Sequence, residues 1–520
     1  DSYVDDGNSL NWNANAALYY TRSFNKHNLN LSVAWEASSG SSDATNVHYR
    51  GFPSGQFHSS NYAAEIYEKP SRTEGTSRMV SAWATGNYTW NDIYLADFSV
   101  RFDGSSDFGS KQRWAPFFSG GLGVNIHNYE FLKGNEMVNK LKVRASYGRT
   151  GKASFPAYAA TTMYEALFDE WYATGFGAVL KALGNNNLTW EKTDKFNVGI
   201  EMQFLNRRLT VDADYYHDKT IDLVNDVSLS QTSGFSSYKD NMGEVLNQGF
   251  ELQVRGEVFR NRDWLVALWG NMAHNKNKIL KISDSQRAYN QRVKEFYENI
   301  VNEEYGRYNS KYGVPISQYE EGQSLTSIWA VKSLGIDPTT GKEIFLNRDG
   351  SVSDTWNATQ EVAVGNTEPK FNGSIGFNAA YKQWSLFAAF QYEWGGQEYN
   401  QTLVDRVENA RIQYQNVDLR VLTDRWKQPG DIAQFKDIKN ADSATMPTSR
   451  FVQDKAYLRL SALTLSYDFN REWIKKYLGM NMLRLEASTR DFINWNSIRQ
   501  ERGLSYPKSW TVDFSIKAQF

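Results

Sequence analysis

The sequence contains no cysteine. This excludes disulfide bonds, thiolate nucleophiles and cysteine metal sites. Proline is scarce, with 10 residues, whereas glycine is plentiful, with 37. No apolar run approaches the ~20 residues of a membrane-spanning helix, and the mean hydropathy is −0.60. A helical membrane protein is therefore excluded. A membrane β-barrel is not, because its strands alternate apolar and polar residues and have a soluble-like mean hydropathy.

The chain also lacks an excess of charge of either sign. It has 57 Lys and Arg against 59 Asp and Glu, a formal net charge of −2. This balance gives no signal for nucleic acid or for an anionic surface, and we expect no nucleic-acid partner. Aromatic residues are abundant instead, with 30 Tyr, 29 Phe and 17 Trp. That content is high for a soluble enzyme.

Apolar and polar side chains alternate with a period of two along much of the chain. In SWTVDFSIKAQF (509–520), one set of alternate residues is apolar and the other is polar. Successive side chains of a strand point to opposite faces, so such a segment has one apolar face. Each segment is ~10 residues long, enough to cross a bilayer at a tilt. About fifteen segments share this pattern, near 13–23, 27–37, 78–90, 92–103, 115–127, 139–150, 191–204, 207–221, 246–260, 263–276, 369–382, 384–396, 455–468, 482–494 and 508–520.

Short and long links alternate strictly between these segments. The short links lie near 24–27, 90–91, 128–138, 205–208, 260–263, 381–384 and 469–481. The long links lie at 38–77, 104–114, 151–190, 222–245, 277–368, 397–454 and 495–507. Outer-membrane barrels have short periplasmic turns and long extracellular loops. We therefore predict an all-β protein, a transmembrane antiparallel β-barrel with that arrangement of links.

The alternative is a large soluble all-β protein, such as a propeller or a stack of sandwiches. A propeller needs a repeat near 40–50 residues, and none is found. Sandwich strands usually run ~5–6 residues, shorter than these segments. The polar faces carry many charges, which predicts a wide lumen. One segment, 455–468, changes phase near Ala462, which indicates a β-bulge.

Nine stretches point to one family. They are RFDGSSDFG (101–109), WAPFFSGGLGVNI (114–126), LKVRASYGRTG (141–151), NNNLTWEKTDKFNVGIE (185–201), NMGEVLNQGFEL (241–252), SLGIDPTTGKEIF (333–345), GNTEPKFNGSIGF (365–377), AYLRLSALTLSYDF (456–469) and YPKSWTVDFSIKAQF (506–520). In these stretches, and over nearly its whole length, the chain resembles the SusC/RagA-like TonB-dependent outer-membrane transporters.

The resemblance implies a 22-stranded barrel that encloses an N-terminal plug. It also implies import driven by the TonB complex through a TonB box, a SusD-like surface lipoprotein as a lid, and a cargo of oligosaccharides or peptides. The plug, the TonB box and the first strands have no counterpart here. Residues 1–520 therefore read as the C-terminal portion of the barrel, with about fifteen of its strands. The remaining barrel and plug are then expected from a longer polypeptide or a separate chain.

The expected function is TonB-dependent import across the bacterial outer membrane, with outer-membrane lipid around the barrel. The alternative is a passive, wide-lumen, porin-like channel. An enzyme is not expected. The sequence has no G-x-S-x-G or H-E-x-x-H motif, and no cofactor is expected.

Aromatic residues fall into two groups by their position along the links. Trp90, Trp264, Trp384 and Trp473 lie at or beside short links, where an inner-leaflet aromatic girdle is expected. The candidates for contact with cargo lie on the extracellular side: Trp171, Tyr172, Trp329, Trp356, Trp394 and Tyr399. Loop or lid packing is the alternative role for these six. The resemblance implies that the terminal aromatic, Phe520, is the signal read by the barrel-assembly machinery.

Three further segments carry local predictions. DPTTGKEIFLNRDG (337–350) offers Asp337, Glu343 and Asp349 as calcium ligands, but its spacing does not match an EF-hand and a hairpin is favoured. REWIKKYLG (471–479) predicts a short amphipathic helix in a periplasmic turn. The tyrosine-rich loop 304–323 is expected to contact a lid partner or to pack within its own loop.

Overall fold

The fifteen alternating segments each coincide with a strand in the computed structural model. The model describes residues 1–56, 59–109, 111–152, 158, 160–172, 175–228, 237–241, 243–302, 313–410, 412, 417–440, 445–469, 471–499 and 509–520. These strands are β1 (Ser2–Phe24), β2 (His27–Arg50), β3 (Ser71–Trp90), β4 (Tyr94–Ser105), β5 (Trp114–Asn125), β6 (Val138–Lys152), β7 (Glu191–Phe204), β8 (Leu209–Ile221), β9 (Glu244–Arg260), β10 (Trp264–Lys281), β11 (Phe371–Tyr381), β12 (Trp384–Tyr399), β13 (Val452–Asp468), β14 (Met482–Thr489) and β15 (Val512–Gln519).

The chain divides into two compact units. The first comprises Asp1–Val124, Arg144–Phe196 and Lys219–Glu244, and the second comprises Asn125–Val143, Asn197–Asp218 and Val245–Phe520. In the first unit, β1 to β5 pair antiparallel in sequence order. In the second, β10 to β15 do the same. Each unit therefore contains an antiparallel meander, as the alternation predicted.

Tight turns join the strands at the predicted short links. Phe24 pairs with His27 across a turn in which Asn25 has φ 50°. Tyr381 pairs with Trp384 across a turn in which Lys382 has φ 52°. Left-handed residues match the twist of two-residue hairpins. The short links thus have the local geometry that fixes hairpin register.

The first strands extend beyond their predicted ends. β2 continues to Arg50, so the link predicted at 38–77 shrinks to residues 51–70. Residues 38–46 pair on one side with β1 and on the other with β3, although they are mostly small and polar. Backbone hydrogen bonds hold this extension without an apolar face, so hydrophobic alternation did not reveal it.

The segment predicted at 482–494 is interrupted. β14 ends at Thr489, and Asn494–Asn496 forms a separate short strand against Tyr457–Arg459 of β13. Asp491, with φ 56°, lies in the break. A left-handed residue turns the chain where a continuous strand was expected.

The predicted bulge is confirmed. Ala389 pairs with Ala462 and Phe390 with Leu460, which leaves Ser461 as the extra residue. The Ser461 hydroxyl donates to the carbonyl oxygen of Ala389 at 3.0 Å. A bulge shifts the side-chain phase by one residue, which explains the change of pattern near Ala462.

The remaining elements lie in the links. The further strands are Glu65–Ile66, Met163–Tyr172, Gly175–Ala182, Val224–Ser228, Ser237–Asn241, Ser327–Ala330, Lys332–Ile336, Glu343–Leu346, Val352–Ser353, Val362–Asn366 and Asn494–Asn496. The helices are α1 (Asp284–Asn302) and α2 (Arg471–Leu478), with shorter helical turns at Gln401–Leu403, Val404–Glu408 and Arg420–Thr423. The helix predicted at 471–479 is therefore confirmed. None of the described helices has the length and hydrophobicity of a membrane-spanning helix.

Large apolar side chains are exposed along the strands. Leu122 is 69% exposed, Val100 53% and Phe514 82%. Several large apolar side chains of the links are buried instead: Phe435 is 2% exposed and Phe451 0%. The strands thus present apolar faces outward, whereas the links of the second unit have a buried core of their own.

Candidate functional site

Two long links of the second unit fold against each other. We call the described residues of 282–370 and 400–451 the loop body. Val331 of the first link forms a parallel bridge with Thr448 of the second, and Trp426 Nε1 donates to the carbonyl oxygen of Pro338 at 2.8 Å. Links of this length are usually functional or disordered. Here they form a packed structure.

The loop body contains two apolar clusters. The larger cluster comes from the second link: Leu403, Val404, Val407, Ala410, Val421, Phe435 and Phe451. The smaller cluster lies within the first link, where Val293 and Tyr297 of α1 pack against Ala358. Burial of side chains of this size stabilises by ~1.5–3 kcal/mol each relative to exposure. This burial fixes the positions of the polar groups described next.

A nearly buried arginine, Arg450, joins the two links. The Arg450 guanidinium donates to both carboxylate oxygens of Glu343, at 3.1 and 2.9 Å, and to Glu408 at 2.6 Å. Thr448 donates to Glu343 at 2.6 Å. Burial alone would raise the pKa of Glu343, but the charge and hydrogen bonds of Arg450 outweigh it and hold that pKa below its ordinary value. The carboxylate therefore stays ionised inside the loop body.

Two further cations lie beside this group. Arg425 donates to the carbonyl oxygens of Lys436 at 2.8 Å and Glu408 at 2.9 Å, and Lys436 Nζ donates to Thr445 at 3.0 Å. Burial lowers the pKa of Lys436, against the opposing charges of Glu408 and Glu343. Buried ions of this kind are tolerated only when they are paired and hydrogen-bonded. The arrangement serves to hold the second link in one conformation.

A second buried carboxyl lies near α1. Glu361 is 1% exposed and accepts a hydrogen bond from the side chain of Gln318. Its Oε1 has no hydrogen-bond partner among the described residues. Burial raises the pKa of Glu361 to about 8, and the Gln318 hydrogen bond opposes this only in part. Glu361 is therefore mostly protonated at neutral pH, whereas Glu343 is ionised.

Trp356 lies at the edge of a recess in the loop body. Its Nε1 donates to the carbonyl oxygen of Pro447 at 2.9 Å, and its ring meets Tyr297 edge-on at 5.5 Å. Glu298, Asn347 and Asn357 also line this recess, whose volume is about 280 Å³. An aromatic face beside amide and carboxylate groups can stack on a sugar ring or hold a peptide side chain.

Comparison with known proteins decides the family. Residues 1–488 match the family model described as TonB dependent receptor-like, beta-barrel. The chain belongs to this family. Membership places this receptor barrel in the bacterial outer membrane and in a class of transporters rather than enzymes. The soluble all-β alternative is therefore wrong.

Several relatives of this receptor barrel are known. TonB-dependent receptor P3 of Formosa agariphila is 26% identical over 496 residues, which cover 94% of this chain and 48% of P3. TonB-dependent receptor SusC of Bacteroides thetaiotaomicron is 30% identical over 305 residues, 54% of this chain and 29% of SusC. The chain spans about half the length of the curated relatives that match most of it.

A solved structure has the same fold. The RagAB peptide importer in the 'open-open' state matches with a TM-score of 0.79 at 22% identity, over 100% of this chain and 55% of that chain. At this identity the likeness shows the fold of the receptor barrel. The predicted all-β architecture is thereby confirmed. The family match and the similarity to SusC confirm the predicted resemblance to SusC/RagA-like receptors.

The four aromatic candidates of the receptor barrel whose side chains the structure describes differ widely in exposure. Trp394 is 66% exposed and Trp356 is half-buried, whereas Trp329 is only 2% exposed. Tyr399 packs against the larger apolar cluster and meets Phe451 edge-on at 6.0 Å. Trp171 and Tyr172 lie in the strand Met163–Tyr172, opposite Phe176 and Gly175, and their side chains are outside the described part of the structure. Cargo contact stays a prediction for all six.

The tryptophans at the short links are half-exposed and each packs against a neighbouring ring. Trp90 stacks on Tyr94 at 5.2 Å, Trp264 lies 4.5 Å from Tyr381, and Trp384 lies 4.8 Å from Tyr467. Trp473 stacks on Phe469 at 6.1 Å. Paired, half-exposed rings fit an interfacial girdle. Phe520 is 79% exposed beyond the end of β15, and its role in assembly stays a prediction.

The segment 337–350 forms the favoured hairpin. Lys332–Ile336 pairs with Glu343–Leu346, which pairs with Val352–Ser353. Asp337 and Asp349 accept hydrogen bonds within their own turns. Glu343 is paired with Arg450. The carboxylates of Asp337, Glu343 and Asp349 therefore do not converge on one point. Among the described residues no group of three or more His, Asp or Glu could hold a metal ion.

The described part of the tyrosine-rich loop packs on α1. The Tyr297 hydroxyl donates to the carbonyl oxygen of Val314 at 2.8 Å. Asn290 donates to the carbonyl oxygen of Tyr319 at 2.6 Å and accepts from the Tyr319 amide at 3.0 Å. Packing within the loop therefore holds for residues 313–323. Residues 303–312 lie outside the described part, and the lid contact expected for the loop 304–323 stays a prediction.

Sequence reasoning missed the buried charges of the loop body. The sequence predicts Glu343 only as a candidate calcium ligand and gives no signal for Arg450, Glu408, Arg425 or Lys436. These residues lie up to 107 positions apart in hydrogen-bonded pairs. No local spacing could identify them, since a buried and a solvated charge look alike in one sequence.

Proposed function

We propose that the protein containing this chain imports oligosaccharides or peptides across the outer membrane, driven by the TonB complex. The family match over residues 1–488 carries this proposal. RagAB, described as a peptide importer, shares the fold and supports the peptide class. The oligosaccharide class rests on the resemblance to SusC/RagA-like transporters, among which SusC is 30% identical over part of the chain. A plug and further barrel strands would complete the transporter, whether in one polypeptide or two.

A SusD-like lipoprotein is proposed as a lid over the loop body. Support comes from the loop body itself, which has its own apolar clusters and buried ion pairs. A rigid, preorganised surface binds a partner at a lower entropic cost than mobile loops do. Copurification of the full-length protein with a surface lipoprotein tests this. We expect the Arg450→Met variant, whose loop body is destabilised, to lose the lipoprotein. A variant that keeps the lipoprotein although its loop body is unfolded would contradict the proposal.

Energy dependence separates active import from the passive-channel alternative. Cells carrying the full-length protein are given the cargo with and without a protonophore. Uptake is expected to stop when the proton-motive force is removed or when TonB is deleted. Uptake that continues unchanged under both treatments would identify a passive channel instead.

Two aromatic candidates present enough surface for cargo contact. Trp356 lines a polar recess, and Trp394 is 66% exposed. Binding of glycans and peptides by the isolated complex is measured for Trp356→Ala, Trp394→Ala and the control Trp264→Ala, a tryptophan beside a short link. A loss of about 1–3 kcal/mol is typical when a stacking aromatic is removed. Equal affinities for all three variants would assign these rings to packing.

The mass of the intact protein tests the expectation that residues 1–520 are part of a larger barrel. We expect mass spectrometry of protein isolated from outer membranes to find a longer polypeptide or a tightly bound second piece. A stable closed barrel made from these residues alone would refute this expectation.

A further inference from the structure

A groove lies in the apolar face of the first unit. Gly120 forms its floor, and Gly86 lies beside it under the ring of Phe98. The rings of Tyr88, Phe98 and Tyr147 line the groove, together with Leu29, Leu122 and Phe196. We call this the glycine groove. Its volume is about 490 Å³, within the ~300–1,000 Å³ of small-molecule pockets.

The groove is present because the ring of Phe98 lies to one side of its strand. Phe98 of β4 pairs with Gly86 of β3 on one side and with Gly120 of β5 on the other. Its ring covers Gly86, where an added Cβ would lie 2.2 Å from Phe98 Cε1. At Gly120, by contrast, the nearest atom to an added Cβ is the carbonyl oxygen of Asp97 at 3.8 Å. The space above Gly120 is therefore open.

The walls of the groove belong to the face that meets lipid. Phe98 is 51% exposed, Leu122 69% and Tyr147 48%, and they share the apolar set of their strands. The opposite set carries Asp97, whose carboxylate lies 2.4 Å from the position of a Cβ on Gly121. In an outer-membrane barrel the apolar set faces the bilayer. The groove is thus continuous with the established lipid interface.

The depth of the groove assigns it to one leaflet. Phe98 lies four residues from Tyr94, beside the short link, or about 13 Å along the strand and about 10 Å in depth at a tilt of 35–45°. Tyr94 stacks on Trp90 at 5.2 Å, which fits the periplasmic interface. At the same end, the Tyr88 hydroxyl lies 2.6 Å from His27 Nδ1. The groove therefore opens into the periplasmic leaflet, which consists of phospholipid.

We infer that the glycine groove binds one acyl chain of a periplasmic-leaflet phospholipid. The open space over Gly120 admits a narrow, flexible hydrocarbon chain, and the surrounding rings contact it on both sides. A flat apolar face would contact the same chain on one side only. The site thus retains a particular lipid while neighbouring lipids exchange.

Photocrosslinking of the full-length receptor tests this inference. The protein is reconstituted with phosphatidylethanolamine that carries a diazirine in the middle of one acyl chain, and crosslinked peptides are mapped. Native mass spectrometry counts the phospholipids that remain bound after detergent release. In the wild type, crosslinks are expected to concentrate on the peptides around Phe98, Gly120 and Tyr147.

Two substitutions supply the contrast. Gly120→Leu fills the groove and is expected to lose these crosslinks and one retained phospholipid. Gly256→Leu is the matched control: Gly256 is on the apolar set of β9, and a Cβ there meets only Leu209 at 3.7 Å. It is expected to leave both readouts unchanged. If Gly120→Leu fails to assemble, Ala96→Leu fills the same space from β4.

Three results would overturn the inference. Crosslinks spread evenly over all apolar faces would show ordinary lipid contact. Unchanged crosslinks in an assembled Gly120→Leu or Ala96→Leu variant would place the lipid elsewhere. Crosslinks from the groove to a second copy of the receptor would make this face an interface between proteins.

Discussion

Two arginine–carboxylate pairs have nearly the same geometry in very different surroundings. Arg149 of β6 donates to both oxygens of Asp194 in β7, at 2.6 and 2.8 Å. Arg450 donates to both oxygens of Glu343, at 3.1 and 2.9 Å. The side chains of the first pair are 34% and 21% exposed, and those of the second pair 11% and 8%.

The difference lies in what remains when the arginine is removed. Water can solvate Asp194, whose neighbours leave it partly open. Arg450 also pairs with Glu408, which is fully buried. Removal of Arg450 therefore leaves two carboxylates without their ion-pair partner. Breaking a buried pair costs ~3–5 kcal/mol, whereas an exposed pair is worth ~0–1 kcal/mol. The loop body depends on its charges, whereas the strands depend on backbone pairing.

The largest expected effect comes from Arg450→Met. We expect the loop body to lose about 3–5 kcal/mol of local stability because Glu343 and Glu408 become buried, unpaired ions. Hydrogen exchange of residues 400–410 and 445–451 in the full-length protein measures this loss. Arg260→Met is the matched control, since its pair with Glu257 is at a turn and Arg260 is 61% exposed. Equal protection of these amides from exchange in both variants would show that buried and exposed ion pairs contribute alike.

The second prediction concerns the protonated carboxyl, Glu361. Its folded pKa of about 8 exceeds its ordinary 4.5, so the folded state keeps a proton that the unfolded state releases. Its stabilisation is complete below pH 4.5, falls as pH rises through the interval to 8, and is lost above it. The expected change is a few kcal/mol in the local stability of α1, followed by hydrogen exchange corrected for its intrinsic pH dependence.

Glu361→Gln should abolish this pH dependence, since the amide is neutral throughout. Glu298→Gln, which changes an exposed carboxylate of α1, should keep it. The charges that act on Glu361 are those of Lys294 and Arg348. An unchanged slope in Glu361→Gln would assign the pH dependence to another group.

A smaller effect is expected for Arg149→Met. Removing this partly exposed pair should cost about 1 kcal/mol or less, because β6 and β7 keep their backbone hydrogen bonds. Thermal unfolding of the assembled receptor, read from its heat-dependent mobility in gels, measures the change. A loss as large as that of Arg450→Met would show that solvent exposure does not decide the strength of these pairs.

The smallest effect concerns salt. Raising the ionic strength from 0.1 to 1 M shortens the screening length from about 10 to about 3 Å. The coupling energy between Arg149 and Asp194, obtained from a double-mutant cycle, should fall by a few tenths of a kcal/mol. The coupling between Arg450 and Glu343 should stay constant. Identical salt slopes for the two cycles would contradict the assigned burial.

Most of the fold could be predicted because membrane strands carry a strong local signal. Alternation located all fifteen strands, and the phase change near Ala462 located the bulge at Ser461. The alternation of apolar and polar residues stops where a strand no longer has an apolar face. Residues 38–46 of β2 are held by backbone pairing with β1 and β3, which does not depend on side-chain polarity, so the alternation of side chains predicts a loop there.

The loop body was not predictable to the same degree. Its hairpin at 337–350 followed from local turn residues, and Gly341 and Gly350 do have positive φ. The contacts that join its two links have no local signature, since β11 and β12 separate Glu343 from Arg450 along the sequence. Trp329 is likewise buried, whereas Trp394 is exposed. Residue type alone does not distinguish these two tryptophans.

The separation of Glu343 and Arg450 along the chain has a consequence for assembly. A contact between residues this far apart closes a long loop, so its entropic cost must be met before it stabilises anything. Pairing of β11, β12 and β13 shortens that loop by bringing both links to the same end of neighbouring strands. We therefore expect the loop body to be the last part of the second unit to form, so that the extracellular surface matures only after these strands have paired.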